Sequence, residues 1–183
     1  GKISQEDYLN LINDSGKPLF NRAISGEYPP GSTIKPIIAI AALSEGIIDE
    51  NTSVNCSGAI SIGSYRFGDW KTHGSGINVK KAIAESCDVF FYSIGGGYGN
   101  IEGLGMDKMK KYEDLFGLGS ETGIDIPGES SGFIPGTEWK LEKLGEKWYT
   151  GDDYHCSIAQ GFITETPLQI ANSIAAIANK GTL

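Results

Sequence analysis

Positive charge is in short supply: the 183 residues carry 15 Lys and Arg against 23 Asp and Glu, a net charge of −8. An acidic chain is repelled by phosphate backbones and anionic headgroups, which argues against nucleic acid and against membrane binding by electrostatics. Cysteine is scarce too. Cys56, Cys87 and Cys156 are too few for a disulfide scaffold, and the odd count leaves at least one outside any internal pair. No apolar run approaches the roughly 20 residues needed to span a bilayer, and the N-terminus lacks the layout of a signal peptide. The expectation is a soluble segment, tied to a membrane only through an anchor outside this chain. Internal repeats, low-complexity tracts and interdomain linkers are also missing.

Hydrophobic content of 39% and charged content of 21% are ordinary for a globular chain that buries a core. The 26 glycines are spread through loops. Ser4 and Asp7 announce a short amphipathic helix through Ile12. The run from Ser32 to Glu45 predicts a helix that is apolar nearly all round and hence central. Ala59 to Phe67 alternates as a small hairpin after a polar, turn-rich stretch, Asp49 to Gly58. Asn78 caps a helix over Val79 to Ala84, Ser86-Cys87-Asp88 interrupts it, and Val89 to Tyr92 resumes. Met106, Met109, Leu115 and Phe116 form a core stripe, and one short strand is expected at Gly123 to Ile126. Helices follow from a Thr137 cap to Lys147, over Asp152 to Gln160, and from Thr166-Pro167 to Asn179. Trp139 and Trp148 mark a partly solvated helix face. Helices dominate, and the only sheet expected is small.

Two polar constellations interrupt this pattern. Ser32 and Lys35, after Tyr28-Pro29-Pro30-Gly31, are three residues apart and share a helical face. That pair is either a capping serine with a solvated lysine, or a nucleophile with its base. A lysine one turn into an apolar helix cannot easily reach water, and burial favours the neutral form that accepts a hydroxyl proton. Ser86-Cys87-Asp88 is either a polar kink or a hydroxyl relay, Ser86, beside an acceptor, Asp88, that orients Lys35.

Read together, Y-P-P-G-S-T-I-K-P, S-C-D, F-G-L-G-S-E-T-G-I-D-I-P-G-E-S-S-G-F-I-P and A-Q-G-F-I-T-E-T-P-L-Q-I-A resemble the transpeptidase domain of class B penicillin-binding proteins. The likeness runs from about Leu19 to Leu183. Asp88 in S-x-D and the stretch Asp69 to Gly74 are closer to the elongation-type branch, penicillin-binding protein 2, than to the division-type branch. The resemblance implies the helical subdomain of the α/β penicillin-binding transpeptidase and serine β-lactamase-like fold. It implies that Ser32 attacks the penultimate D-alanine carbonyl of a peptidoglycan stem peptide with Lys35 as base, and that β-lactams acylate the same serine. It places the protein on the outer face of a bacterial cytoplasmic membrane, among proteins of the cell-wall elongation complex. D,D-Carboxypeptidases and serine β-lactamases share the serine–lysine chemistry, and a β-lactam sensor or wall-synthesis scaffold is the non-catalytic alternative.

The chemistry requires no cofactor, but the same branch is similar in placing a metal site behind the second motif. Cys56, Asp69, His73 and Cys87 offer two thiolates, a carboxylate and an imidazole, which suit a structural zinc. A Cys56–Cys87 disulfide, or unpaired residues, are the competing readings. The resemblance also exposes a departure. The K-T-G motif is missing, because Lys180-Gly181-Thr182 has the residues in another order, at a helix stop. The chain therefore reads as a partial domain without the flanking strands. The Ser32 N–H supplies one oxyanion donor; the second belongs to the missing strand, and losing one typically costs about 10²–10³ in rate. Poor turnover by the isolated chain is expected.

Overall fold

A computed structural model describes residues 2–183. The helices are α1 (Gln5–Asn13), α2 (Lys35–Ser44), α3 (Val79–Glu85), α4 (Asp88–Gly96), α5 (Gly105–Leu115), α6 (Thr137–Leu144), α7 (Thr150–Ser157) and α8 (Pro167–Ala178). The strands are β1 (Ser53–Cys56), β2 (Ala59–Ile62), β3 (Tyr65–Gly68) and β4 (Gly74–Asn78).

Two apolar helices make the centre. α2 buries Ile37, Ile38, Ala39, Ala41 and Ala42, and Pro36 sits in its first turn, where no intrahelical donor is needed. α4 buries every residue from Val89 to Gly95. Each buried aliphatic or aromatic side chain is worth about 1.5–3 kcal/mol, so these two helices anchor the fold. α4 packs on α2 and most extensively on α7. That second contact needs backbone proximity: a Cβ on Gly95 would lie 2.4 Å from the Ser157 Cβ, and one on Gly96 would lie 2.6 Å from the Tyr154 ring. The Tyr154 hydroxyl then donates to Gly97 O at 2.7 Å and closes the pair.

The β2–β3 hairpin forms as its alternation predicts, with Ala59 opposite Gly68 and Ile62 opposite Tyr65. A second antiparallel pair, β1–β4, sets Val54 opposite Ile77 and Cys56 opposite Gly74. It lies partly in the stretch expected to be turn-rich. Gly74 and Gly76 leave β4 no alternation to read, and its partner is some twenty residues away in sequence. The architecture is mainly helical, with two small sheets among the described residues rather than one.

The strand expected at Gly123 to Ile126 is absent. The Glu129 carboxylate accepts from Thr122 N at 2.8 Å, Thr122 Oγ1 at 2.5 Å and Gly123 N at 3.0 Å, so a side chain takes donors that a ladder would use. α6 has Gly136, not Thr137, at its cap position, and it stops at Leu144 because Gly145 turns left-handed. α7 lies two to three residues earlier than expected. The α5 stripe is Met106, Met109 and Glu113, while Leu115 points to solvent. Trp139 packs between Phe133 and Phe162, and the neighbouring Lys140 is buried against Asp152 rather than solvated. The Thr166–Gln169 box opens α8 as its sequence predicts. Ser4 caps α1, none of whose residues is buried.

Candidate active site

The turn that carries Ser32 is fixed from a distance in sequence. Tyr28 and Glu165 exchange two backbone hydrogen bonds of 2.9 Å, and Gly31 N donates to Ala159 O at 3.2 Å. Gly31 takes a φ of +59°, which a residue with a Cβ adopts only at a cost of about 1–2 kcal/mol. The chain then enters one 3-10 turn, Gly31–Ile34, before α2 begins. Ser32 therefore sits in that turn rather than on the α-helix proper. It is exposed, while Lys35 at the start of α2 is only 2% exposed.

Lys35 Nζ donates to Asp88 Oδ1 at 2.5 Å, to Ser86 Oγ at 2.9 Å and to Ser86 O at 3.0 Å. Three donors thus meet three acceptors. The ammonium also lies 5.2 Å from the Phe91 ring centroid. Ser86 Oγ donates in turn to Ser32 Oγ at 3.0 Å. A continuous chain of hydrogen bonds runs from Ser32 through Ser86 to Lys35 and Asp88. Lys35 reaches Ser32 through the Ser86 hydroxyl; no direct hydrogen bond joins the two among the described residues.

Ser86 is held at the junction of two helices. It ends α3 in the left-handed region at φ 54°, a conformation that costs a non-glycine residue about 1–3 kcal/mol. Its carbonyl takes a second donor, Trp70 Nε1, at 3.2 Å. The next residue, Cys87, occupies the N-cap of α4, and its sulfur accepts from Phe90 N at 3.4 Å. Asp88 then falls in the first turn of α4, where the helix dipole favours a carboxylate.

Directly behind this corner lies a second cluster. Ligand atoms of Asp69, His73 and Cys87 all fall within 4.8 Å of one another. His73 Nε2 is 3.2 Å from Asp69 Oδ1, and its Nδ1 is 3.2 Å from Glu85 Oε2. Asp69 also accepts from Trp70 N at 2.8 Å and Val89 N at 3.0 Å. The His73 and Asp69 side chains are fully buried. Cys56 stands outside this trio but beside Cys87. A hydrogen bond between the two thiols holds Cys56 below its ordinary range, whereas that bond and burial hold Cys87 far above. All three cysteines are free thiols.

A family profile described as "Penicillin binding protein transpeptidase domain" matches residues 3–183. The chain belongs to this family. It is 42% identical, over 98% of its length, to the peptidoglycan D,D-transpeptidase MrdA of Acinetobacter baumannii, of which it spans 26%. The MrdA of Escherichia coli K12 is 40% identical over the same share, with 28% of that protein covered. Among solved structures, penicillin-binding protein 2 of Helicobacter pylori in complex with MreC superposes with a TM-score of 0.87 at 36% identity. That match covers 98% of this chain and 33% of the other. The branch is the elongation type, and the chain spans about a quarter of the length of these curated relatives.

Within this transpeptidase-family chain, the four residues expected at the reaction centre, Ser32, Lys35, Ser86 and Asp88, meet in one hydrogen-bonded corner. Of the expected metal set, Asp69, His73 and Cys87 meet and Cys56 touches only at Cys87. Sequence reading passed over Trp70, Glu85 and Ala159. Trp70 stands in the stretch Asp69 to Gly74 that the resemblance had singled out. Glu85 and Ala159 carry no local signal, because each acts through a contact made only in the folded chain.

Proposed function

We propose that the chain supplies the nucleophile and its proton relay to a peptidoglycan D,D-transpeptidase. The observation that carries this reading is the chain of hydrogen bonds from an exposed serine to a buried lysine. In the arrangement described, Lys35 Nζ has three hydrogen-bond acceptors. When Lys35 has released a proton, Ser86 Oγ can pass the Ser32 proton to Nζ as Ser32 Oγ attacks the carbonyl before the terminal D-alanine. The same proton then returns to the departing amine. An amine from a neighbouring stem peptide resolves the acyl-enzyme to a cross-link, and a β-lactam would be trapped at the same oxygen. The names of the MrdA relatives favour transpeptidation over carboxypeptidase or β-lactamase activity.

Asp69, His73 and Cys87 form a buried, mixed donor set that fits a structural metal ion, with the Cys56 sulfur next to it. Glu85 on the far ring nitrogen would fix His73 in the tautomer that leaves Nε2 free to ligate. Such an ion would brace the Ser86 segment and take no part in acyl transfer. Metal analysis of protein purified without added metal tests this; a metal-free preparation with a Cys56–Cys87 disulfide would end it.

The partners we infer are wall-elongation proteins, as in the MreC complex of the Helicobacter pylori relative. None of the described helices is long and apolar enough to cross a membrane; the outer face of a bacterial cytoplasmic membrane is the location we infer from the MrdA relatives. With no K-T-G in these residues, the isolated chain should acylate slowly. The deciding experiment uses labelled penicillin on the longer protein that carries this domain. Stoichiometric labelling at Ser32, abolished by Ser32→Ala, is expected; labelling that survives the substitution overturns the assignment.

A further inference from the structure

The turn that carries Ser32 hangs on a backbone clasp, and the far half of that clasp bears a buried carboxyl. Tyr28 N donates to Glu165 O and Glu165 N to Tyr28 O, both at 2.9 Å. Glu165 is only 1% exposed. Gly119 N donates to its two carboxyl oxygens at 3.1 and 3.2 Å, and no other donor reaches them among the described residues. An ionised carboxylate accepts about four hydrogen bonds, so one N–H serves it poorly. Gly132 closes one side to water, since a Cβ there would lie 2.8 Å from Glu165 Oε2.

The charges around Glu165 make ionisation harder still. Glu27 stands one residue before Tyr28, on the near half of the clasp, and accepts from Ser130 Oγ and from Thr164 Oγ1 at 3.2 Å. Its charge opposes ionisation of Glu165, as does that of Asp114 on α5. Lys110 favours ionisation, but it is already bridged to Asp114 at 2.9 Å. Glu113, fully buried on the same helix, makes no hydrogen bond that could help. The Cys156 thiol, beside Glu113 on α7, is pushed up by burial and stays neutral. Burial, with Glu27 across the clasp, pushes Glu165 up to about 7.

We infer that Glu165 is a positioning residue for Ser32: its neutral side chain lets the Tyr28 clasp close, and its ionised side chain pulls that clasp loose. Only the reaction assigned to Ser32 rests on the transpeptidase reading above. A charged Glu165 is short of donors and faces Glu27 across two short backbone bonds, so opening toward water relieves it. Pro29 and Pro30 hold a fixed φ, so a displacement of Tyr28 is passed on to Gly31 and Ser32 rather than absorbed. The folded-state value is raised. The contribution of Glu165 to the clasp is therefore complete below about 4.5 and is lost as pH rises through about 7.

The test is the pH profile of penicillin labelling at Ser32 in the longer protein. Taking the ratio of the Glu165→Gln rate to the parent rate cancels the titration of Lys35. That ratio should rise at least threefold between about pH 6 and 8.5, with its midpoint near 7. Glu27→Gln removes the facing charge from an exposed position, so its own fall should be smaller and begin at lower pH. Hydrogen exchange of the longer protein gives a readout that needs no chemistry at Ser32. The two prolines have no amide, so a peptide over residues 27–32 reports chiefly on Tyr28 N and Gly31 N. Its protection, corrected for the intrinsic rate, should drop at least threefold over the same range, and by more than that of α2. A flat ratio, a Glu27→Gln profile identical to the parent, or protection that does not change with pH would overturn the inference. Should Glu165→Gln fail to fold, the last two readouts decide alone. Labelling with constant protection removes the clasp alone, whereas pH-dependent protection without labelling removes the transpeptidase reading.

Discussion

Two ionisable side chains are buried near the centre of this molecule, and they are treated in opposite ways. Lys35 has three acceptors for its three protons, among them the Asp88 carboxylate. Glu113, on α5, is fully buried and neither of its carboxylate oxygens has a hydrogen-bond partner. Burial pushes Glu113 up to about 8, and the nearby Glu165 carboxylate adds to the effect. Glu165 is itself pushed up to about 7, mainly by burial. The fold supplies an acceptor for each proton at Lys35, whereas at Glu113 it supplies no partner and burial favours the neutral acid. The first case lies in the corner shared by Ser32, Ser86 and Asp88. The second is a cost borne by the fold.

Lys35→Met breaks the contrast at its strongest point. It leaves Asp88 without its cation and Ser86 without its donor, so urea unfolding should show a loss of about 3 kcal/mol. Penicillin labelling of the longer protein should fall by roughly 10³ or more, as expected for loss of a proton acceptor. Labelling within tenfold of the parent would show that Lys35 is structural only.

Glu113→Gln attacks the other side. The neutral acid is the form the interior accepts, so the favourable contribution of Glu113 is complete below the unfolded value of about 4.5. It is lost progressively as pH rises through about 8. The glutamine variant should be more stable than the parent near pH 8 by about 2–4 kcal/mol, with a flatter stability profile between pH 5 and 8. Equal pH slopes in the two proteins would mean that water or a cation reaches the site.

Trp70→Phe should have the smallest effect. It removes one of two donors from the Ser86 carbonyl while keeping the ring beside His73. A loss of about 1 kcal/mol and a few-fold slower labelling are expected, read by urea titration and by the labelling time course.

The helices around the reaction corner were readable because their signals are local. Thr166, Pro167 and Gln169 announce α8 within four residues, and the apolar runs of α2 and α4 need no partner to be recognised. The hairpin was readable for the same reason. What escaped was non-local. β1 and β4 recognise each other across a gap with glycines in one strand, and Glu129 replaces a strand by capturing backbone donors with its side chain. α5 shows the limit within one helix. Position 113 follows 106 and 109 at helical spacing, yet a glutamate there adds nothing to an apolar stripe, whereas Leu115 and Phe116 do. The site motifs gave the four corner residues and offered Ser86 as a hydroxyl relay with a polar kink as the alternative, but not the left-handed backbone that sets its hydroxyl between Lys35 and Ser32.

The backbone bonds from Tyr28 to Glu165 and from Gly31 to Ala159 have a consequence for how the protein is made. They close loops of well over a hundred residues, and such contacts form late because their entropy cost precedes any gain. During synthesis Ser32 leaves the ribosome well before Ala159 and Glu165, so the turn that aims it has nothing to lean on until the segment after α7 has emerged. Ser32 is thus translated well before the contacts that set it in place.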